Sequence, residues 1–86
     1  MPTISMFYGI LIRMFYDDHN PPHIHALYNE YETVYDFDGN LIDGEKLPSK
    51  QHKLVLAWIE IHKEELIANW KLAQYGEAMF KIDPLK

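Results

Sequence analysis

HIHALYN (His23–Asn29) and YETVYDF (Tyr31–Phe37) decide the fold. Both are rich in β-branched or aromatic residues and read as strands. A tight turn at Asn29-Glu30 makes them a hairpin, although that turn lacks the favoured Gly at its second position. The register then sets Tyr28 against Tyr31, Ala26 against Thr33 and Ile24 against Tyr35. Successive side chains point to opposite faces. One face carries Ile24, Ala26, Tyr28, Thr33, Tyr35 and Phe37 and is mostly apolar. The other carries His23, His25, Leu27, Glu32, Val34 and Asp36. His23 and His25 thus share a face, with Asp36 beside His23. A slip of one residue would undo these partners.

Upstream, TISMF (Thr3–Phe7) and ILIRMFY (Ile10–Tyr16) flank Tyr8-Gly9 and read as two more strands. Downstream, DFDGNLIDGEKLP carries turn signals at Asp38-Gly39-Asn40 and Asp43-Gly44, with room for a short strand at Leu41-Ile42. A helix follows. Pro48 and Ser49 mark its start, with Ser49 as the N-cap. From Gln51 to Tyr75 there is neither Gly nor Pro. Val55, Ile59, His62, Leu66, Trp70 and Ala73 recur at spacings of three and four, which is one helical face. Leu54, Trp58 and Ile61 widen it, and Gly76 supplies the stop.

A straight helix from Ser49 to Tyr75 would be roughly 40 Å long, whereas a domain of this size has a radius of gyration of about 12 Å. The spacing therefore predicts a kink or break near His62–Glu64, or a protruding end used for association. Glu64-Glu65 would suit the first turn of a second helix. The expected fold class is α+β in a single domain, residues 1–86. An N-terminal antiparallel sheet of about four strands precedes one long kinked helix or two helices.

Composition bounds the function. The chain has 86 residues, 48% of them hydrophobic and 14% aromatic. That is the make-up of a folded protein with a thin core, to which a protein partner or a homo-oligomer would add much. There is no cysteine, which excludes disulfides and thiolate sites and fits a cytoplasmic location. The N-terminus lacks the basic region and cleavage site of a signal peptide. No stretch approaches the roughly 20 apolar residues that span a membrane. The net charge is −5. It disfavours RNA as a partner, because binding phosphates needs basic surface, and only Lys46, Lys50 and Lys53 lie close together.

DDHNPPHIHA (Asp17–Ala26) holds three of the five histidines. Pro21-Pro22 stiffens the loop so that His19 can be held near His23. His19, His23 and His25 are candidates for acid–base catalysis, since imidazole titrates near neutral pH. Asp17, Asp18 and Asp36 are the nearby carboxylates. Arg13, the only arginine, is the candidate for stabilising an anion, or else an ion-paired strand residue. His-x-His on a strand also offers two nitrogens to one divalent metal, with Asp36 completing a set of His23, His25 and Asp36. The alternative is a Pro-rich turn whose imidazoles bond backbone and fill gaps beside aromatics. His52 is expected to be exposed and His62 to be a satisfied core or interface residue. Trp58 and Trp70 read as core or interface anchors. No Gly-rich phosphate loop or activated nucleophile is present.

The stretches MPTIS-FYGI-IRM, DHNPPHIHA-Y and KLVLAWIEIHKEEL--NW-LA together resemble the small bacterial family of domain of unknown function 4160. DHNPPHIHA is the most specific part, and the likeness runs from Pro2 to about Pro84. It implies a cytosolic prokaryotic protein, often encoded beside a second small protein in a toxin–antitoxin-like arrangement. Three functions follow as expectations: a partner-dependent component of a toxin–antitoxin-type module, a small RNA-cleaving or other hydrolase, and a divalent-metal-binding protein. Whether the His cluster is catalytic is left open at this point.

Overall fold

The computed structural model describes residues 2–16 and 18–86. It is an α+β fold. Five strands, β1 (Thr3–Phe7), β2 (Ile10–Arg13), β3 (His23–Tyr28), β4 (Tyr31–Asp36) and β5 (Leu41–Gly44), precede one helix, α1 (Ser49–Gln74). The strands form one antiparallel sheet in chain order.

The central hairpin has the register its sequence predicts. His23 opposes Asp36, Ile24 opposes Tyr35, Ala26 opposes Thr33 and Tyr28 opposes Tyr31. Asn29 closes the turn with φ at 51°. Asn tolerates this left-handed region better than most residues, so no Gly is required there. The fifth strand exceeds the expected four. Leu41 pairs with Tyr35 and Gly44 with Thr33. Gly44 is the reason β5 can lie so close: its φ is +82°, and a Cβ there would stand 2.2 Å from the Glu32 carbonyl oxygen.

Helix α1 covers one face of the sheet. Ile12, Ile24, Ala26 and Tyr35 from the strands meet Val55, Trp58, Ile59 and Leu66 in one core. Each aliphatic side chain so buried contributes about 1.5–3 kcal/mol over leaving it in water. His62 has non-helical angles (φ −111°, ψ 21°), so the helix is kinked there. A straight helix of 26 residues would be roughly 39 Å long, more than the molecule's longest dimension of 34 Å. Glu64-Glu65 follow the kink, as expected. Gly76 (φ +71°) ends the helix. The Glu77 N–H donates to Leu72 O and the Gly76 N–H to Ala73 O, the pair of bonds that closes a left-handed helix end.

Two helical expectations are corrected. Ser49 is not the cap: Pro48 occupies that position, no side chain caps the helix, and Ser49 is its first residue. Ile61 does not widen the buried face but is 64% exposed. At about 100° per residue it falls more than about 90° from the centre of the Val55–Ile59–Leu66 stripe.

Beyond α1 the C-terminal segment packs back on the core. The Ile82 N–H donates to Ile4 O at 2.8 Å, and Trp58 Nε1–H donates to Asp83 O at 2.8 Å. Asn69, fully buried on the helix, holds Phe80 twice: Nδ2 donates to its carbonyl and Oδ1 accepts from its N–H. Among the described residues no helix is long and apolar enough to cross a membrane.

Candidate metal centre

The site lies where the Asp18–Pro22 loop meets the start of β3. The pleat puts His23 and His25 on the sheet face opposite Ile24 and Ala26. His23 is only 3% exposed, with its ring 5.4 Å from that of Trp70 on α1. The His25 ring receives Phe15 edge-on, at 4.5 Å between centroids. The loop is held from the helix as well, because Gln74 Nε2 donates to the Asp18 carbonyl at 3.0 Å. Asn20–Pro21 is a cis peptide.

Asp18 is where the imidazoles converge. Its Oδ2 is 2.8 Å from His23 Nε2 and 3.7 Å from His25 Nε2. Its Oδ1 is 2.9 Å from His19 Nδ1 and accepts the His19 backbone N–H at 2.9 Å. Partial burial pushes the Asp18 carboxyl up. The His19 backbone N–H, the His23 ring charge, and side-chain hydrogen bonds to His19 and His23 outweigh it and hold the carboxyl below its ordinary 3.8.

The two buried imidazoles are oriented alike. His23 Nδ1 is 2.7 Å from the Pro21 carbonyl, which can only accept, so this nitrogen carries a proton; Nε2, 2.8 Å from the ionised Asp18 Oδ2, donates to it. His25 Nδ1 is 3.3 Å from Glu32 Oε2, an acceptor when ionised. His25 Nε2 is buried and has no hydrogen-bond partner among the described residues. One atom each from Asp18, His23 and His25 all lie within 4.8 Å of one another. Two imidazoles whose Nδ1–H groups are engaged by a carbonyl and a carboxylate, with both Nε2 atoms facing one further carboxylate, have the donor set and outer support of a divalent metal site.

Of the residues singled out in the sequence, His19, His23 and His25 are brought together. The His19 ring lies 5.3 Å from that of His23, but its side chain is 84% exposed. Asp36 lies opposite His23, yet its carboxylate turns to the β4–β5 turn. It accepts the Asp38 and Asn40 backbone N–H groups and the Asn40 amide, which, against partial burial, hold its pKa below 3.8. Asp18 stands where Asp36 was expected. Asp17 lies outside the described residues. Arg13 opposes His25 in the register but does not line the cavity described below. His52 is not free in solvent: its Nδ1 is 2.8 Å from the Tyr35 hydroxyl. Burial and the Lys46 charge push its pKa down, and burial raises Tyr35 to about 12. His62 packs on Trp58 and bonds Glu65 at 2.5 Å, a satisfied residue as expected.

Sequence reasoning missed Glu32 as a partner of His25. The signal was available: Glu32 opposes Leu27, which makes it the diagonal neighbour of His25 on the same face. It also missed the cavity beside the cluster, about 480 Å³ in volume, with Asp18, His19, His23 and His25 on one side and Phe15 and Tyr16 among its other walls.

A family model described as domain of unknown function (DUF4160) matches residues 9–71. No curated protein and no solved structure matches the chain. The matched stretch spans the sheet from the β1–β2 turn onward, the whole cluster and the helix through Lys71. The chain belongs to the DUF4160 family.

Proposed function

We propose that the protein binds one divalent first-row metal ion through Asp18 and the Nε2 atoms of His23 and His25. The observation that carries this reading is the buried Nε2 of His25, without a hydrogen-bond partner among the described residues and facing the same carboxylate oxygen as His23 Nε2. A buried acceptor left without a partner costs about 1–3 kcal/mol, and a cation at this point would satisfy it. Imidazole and carboxylate donors suit zinc, iron or nickel. Three protein ligands beside a cavity leave positions open, the pattern of reactive rather than purely structural zinc sites. When bound, such an ion acts as a Lewis acid toward an oxygen or nitrogen donor. Glu32 and the Pro21 carbonyl engage both Nδ1–H groups, so that a cation at Nε2 would displace the proton His23 donates to Asp18, and Trp70 and Phe15 fix the ring planes.

The test uses protein purified without a His-tag, titrated calorimetrically with zinc, nickel and manganese. One equivalent should bind to the wild type and none to a His23→Ala/His25→Ala variant that keeps its far-ultraviolet circular dichroism. Failure of all three metals to bind the folded wild type contradicts the proposal.

A second reading concerns the partner. The toxin–antitoxin-like gene arrangement that the family resemblance implies, and the exposed apolar side chains Met6 on β1 and Leu41 and Ile42 on β5, support a cytoplasmic protein that works with a neighbouring small protein or with a second copy of itself. Apolar edge strands are where chains associate. Light scattering with and without co-expression of the adjacent gene product decides; a monomer that ignores it contradicts this reading. Cleavage of RNA is the weaker assignment, because no Lys or Arg among the described residues lines the cavity.

A further inference from the structure

We infer that the molecule taken at this centre is a small uncharged compound with a ring-sized apolar body and one chelating oxygen or nitrogen head. The inference rests on the metal reading and specifies what the ion would face. The cavity of about 480 Å³ is within the range that encloses a metabolite-sized ligand. Away from the cluster its walls are Phe15, Tyr16, Pro21, Val34 and Ile42, with Asp43 as the remaining polar group. Tyr16 and Ile42 are among the large apolar side chains left exposed by the fold, and both stand at this cavity. The walls therefore reward apolar contact with a ligand body.

Charge points the same way. Asp18 and Asp43 line the cavity, and among the described residues no Lys or Arg lines it. Outside it Glu32 and Arg13 flank His25 with opposite charges. The two lining carboxylates already offset a single divalent ion, so a doubly charged phosphate group would find no cationic partner in the walls. Phosphate binding ordinarily recruits Arg, Lys or a helix N-terminus, and none of the lining residues supplies one. A chelating head that is neutral in solution and carries at most one negative charge when bound meets a smaller cost, and its body fills the apolar half of the cavity.

The experiment uses the cobalt(II)-loaded, tag-free chain and follows the visible cobalt band. Benzohydroxamic and acetohydroxamic acids, neutral in solution, chelate through the same head with loss of one proton and differ in the body; phenyl phosphate keeps the ring and carries a doubly charged head. Benzohydroxamic acid should bind on the order of tenfold more tightly than acetohydroxamic acid and more tightly than phenyl phosphate. The variant I42A should lower the benzohydroxamate affinity several-fold while leaving cobalt affinity unchanged. Equal binding of the two hydroxamates, or phenyl phosphate binding as well as benzohydroxamate, overturns the inference and leaves the metal reading standing. A dimer in light scattering that excludes both hydroxamates marks the cavity as filled by a second copy and also overturns it. Absence of the cobalt band from the folded protein overturns the metal reading, and this inference with it.

Discussion

The two carboxylate oxygens of Asp18 have different neighbours: Oδ1 serves the exposed His19, and Oδ2 faces the two buried imidazoles. This division sets the first prediction. Asp18→Asn keeps the shape but removes the charge, and metal affinity should fall on the order of 100-fold or more. Glu32→Gln, acting only through His25, should cost about 10–100-fold. Asp36→Asn should leave metal affinity unchanged, because its carboxylate belongs to the β4–β5 turn. Calorimetric titration of the three variants checks the order. A second prediction concerns acid. Asp18 and Asp36 both have folded pKa values below the ordinary 3.8. A depressed carboxyl adds stability above its unfolded pKa, and that stability is lost as pH falls through the folded value. Stability should therefore decline below about pH 4, and Asp36→Asn should flatten that decline in acid titrations followed by circular dichroism. At this scale His23 and His25 were legible from the pleat alone. Asp18 was legible only as a nearby carboxylate, since a loop has no periodicity to fix where a side chain points.

Among the elements, the β3–β4 hairpin was readable to the residue because a period of two and a two-residue loop leave one register that buries Ile24, Ala26 and Tyr35. The kink at His62 was readable from length against compactness. The fifth strand was only half readable, as its pairing depends on Gly44 coming against the backbone of Glu32. Gly44→Ala should therefore cost more than about 2 kcal/mol, from the positive φ and the clash together, seen as a lower urea midpoint. The fold of residues 77–86 was not readable. Asn69 sits on the helical stripe as a polar residue, and nothing local reveals that both ends of its amide meet Phe80. Asn69→Ala should cost about 2 kcal/mol and speed amide exchange at Phe80 and Ile82 more than in β3. Equal acceleration throughout the chain would contradict a clasp confined to that segment.

Across the whole molecule, helix α1 packs on the Ile24–Ala26 face of the sheet, and the cluster sits at one end of the other face, where Trp70 reaches His23. Leu11 and Leu27 pair across β2 and β3 there, half-buried, beside the exposed Met6. An 86-residue chain has little core to spare for polar groups, yet it buries His23 fully, His25 largely, and the oxygen of Asp18 they share in partial shelter. The proposed cation would turn this buried polar cluster into a source of stability. X-ray absorption at the zinc edge of the zinc-loaded, tag-free protein tests that claim most directly. The account predicts two imidazole ligands with nitrogen at about 2.0–2.1 Å, accompanied by oxygen, and one imidazole fewer in the His25→Ala variant. A first shell of oxygen alone, or a spectrum unchanged by His25→Ala, would contradict it.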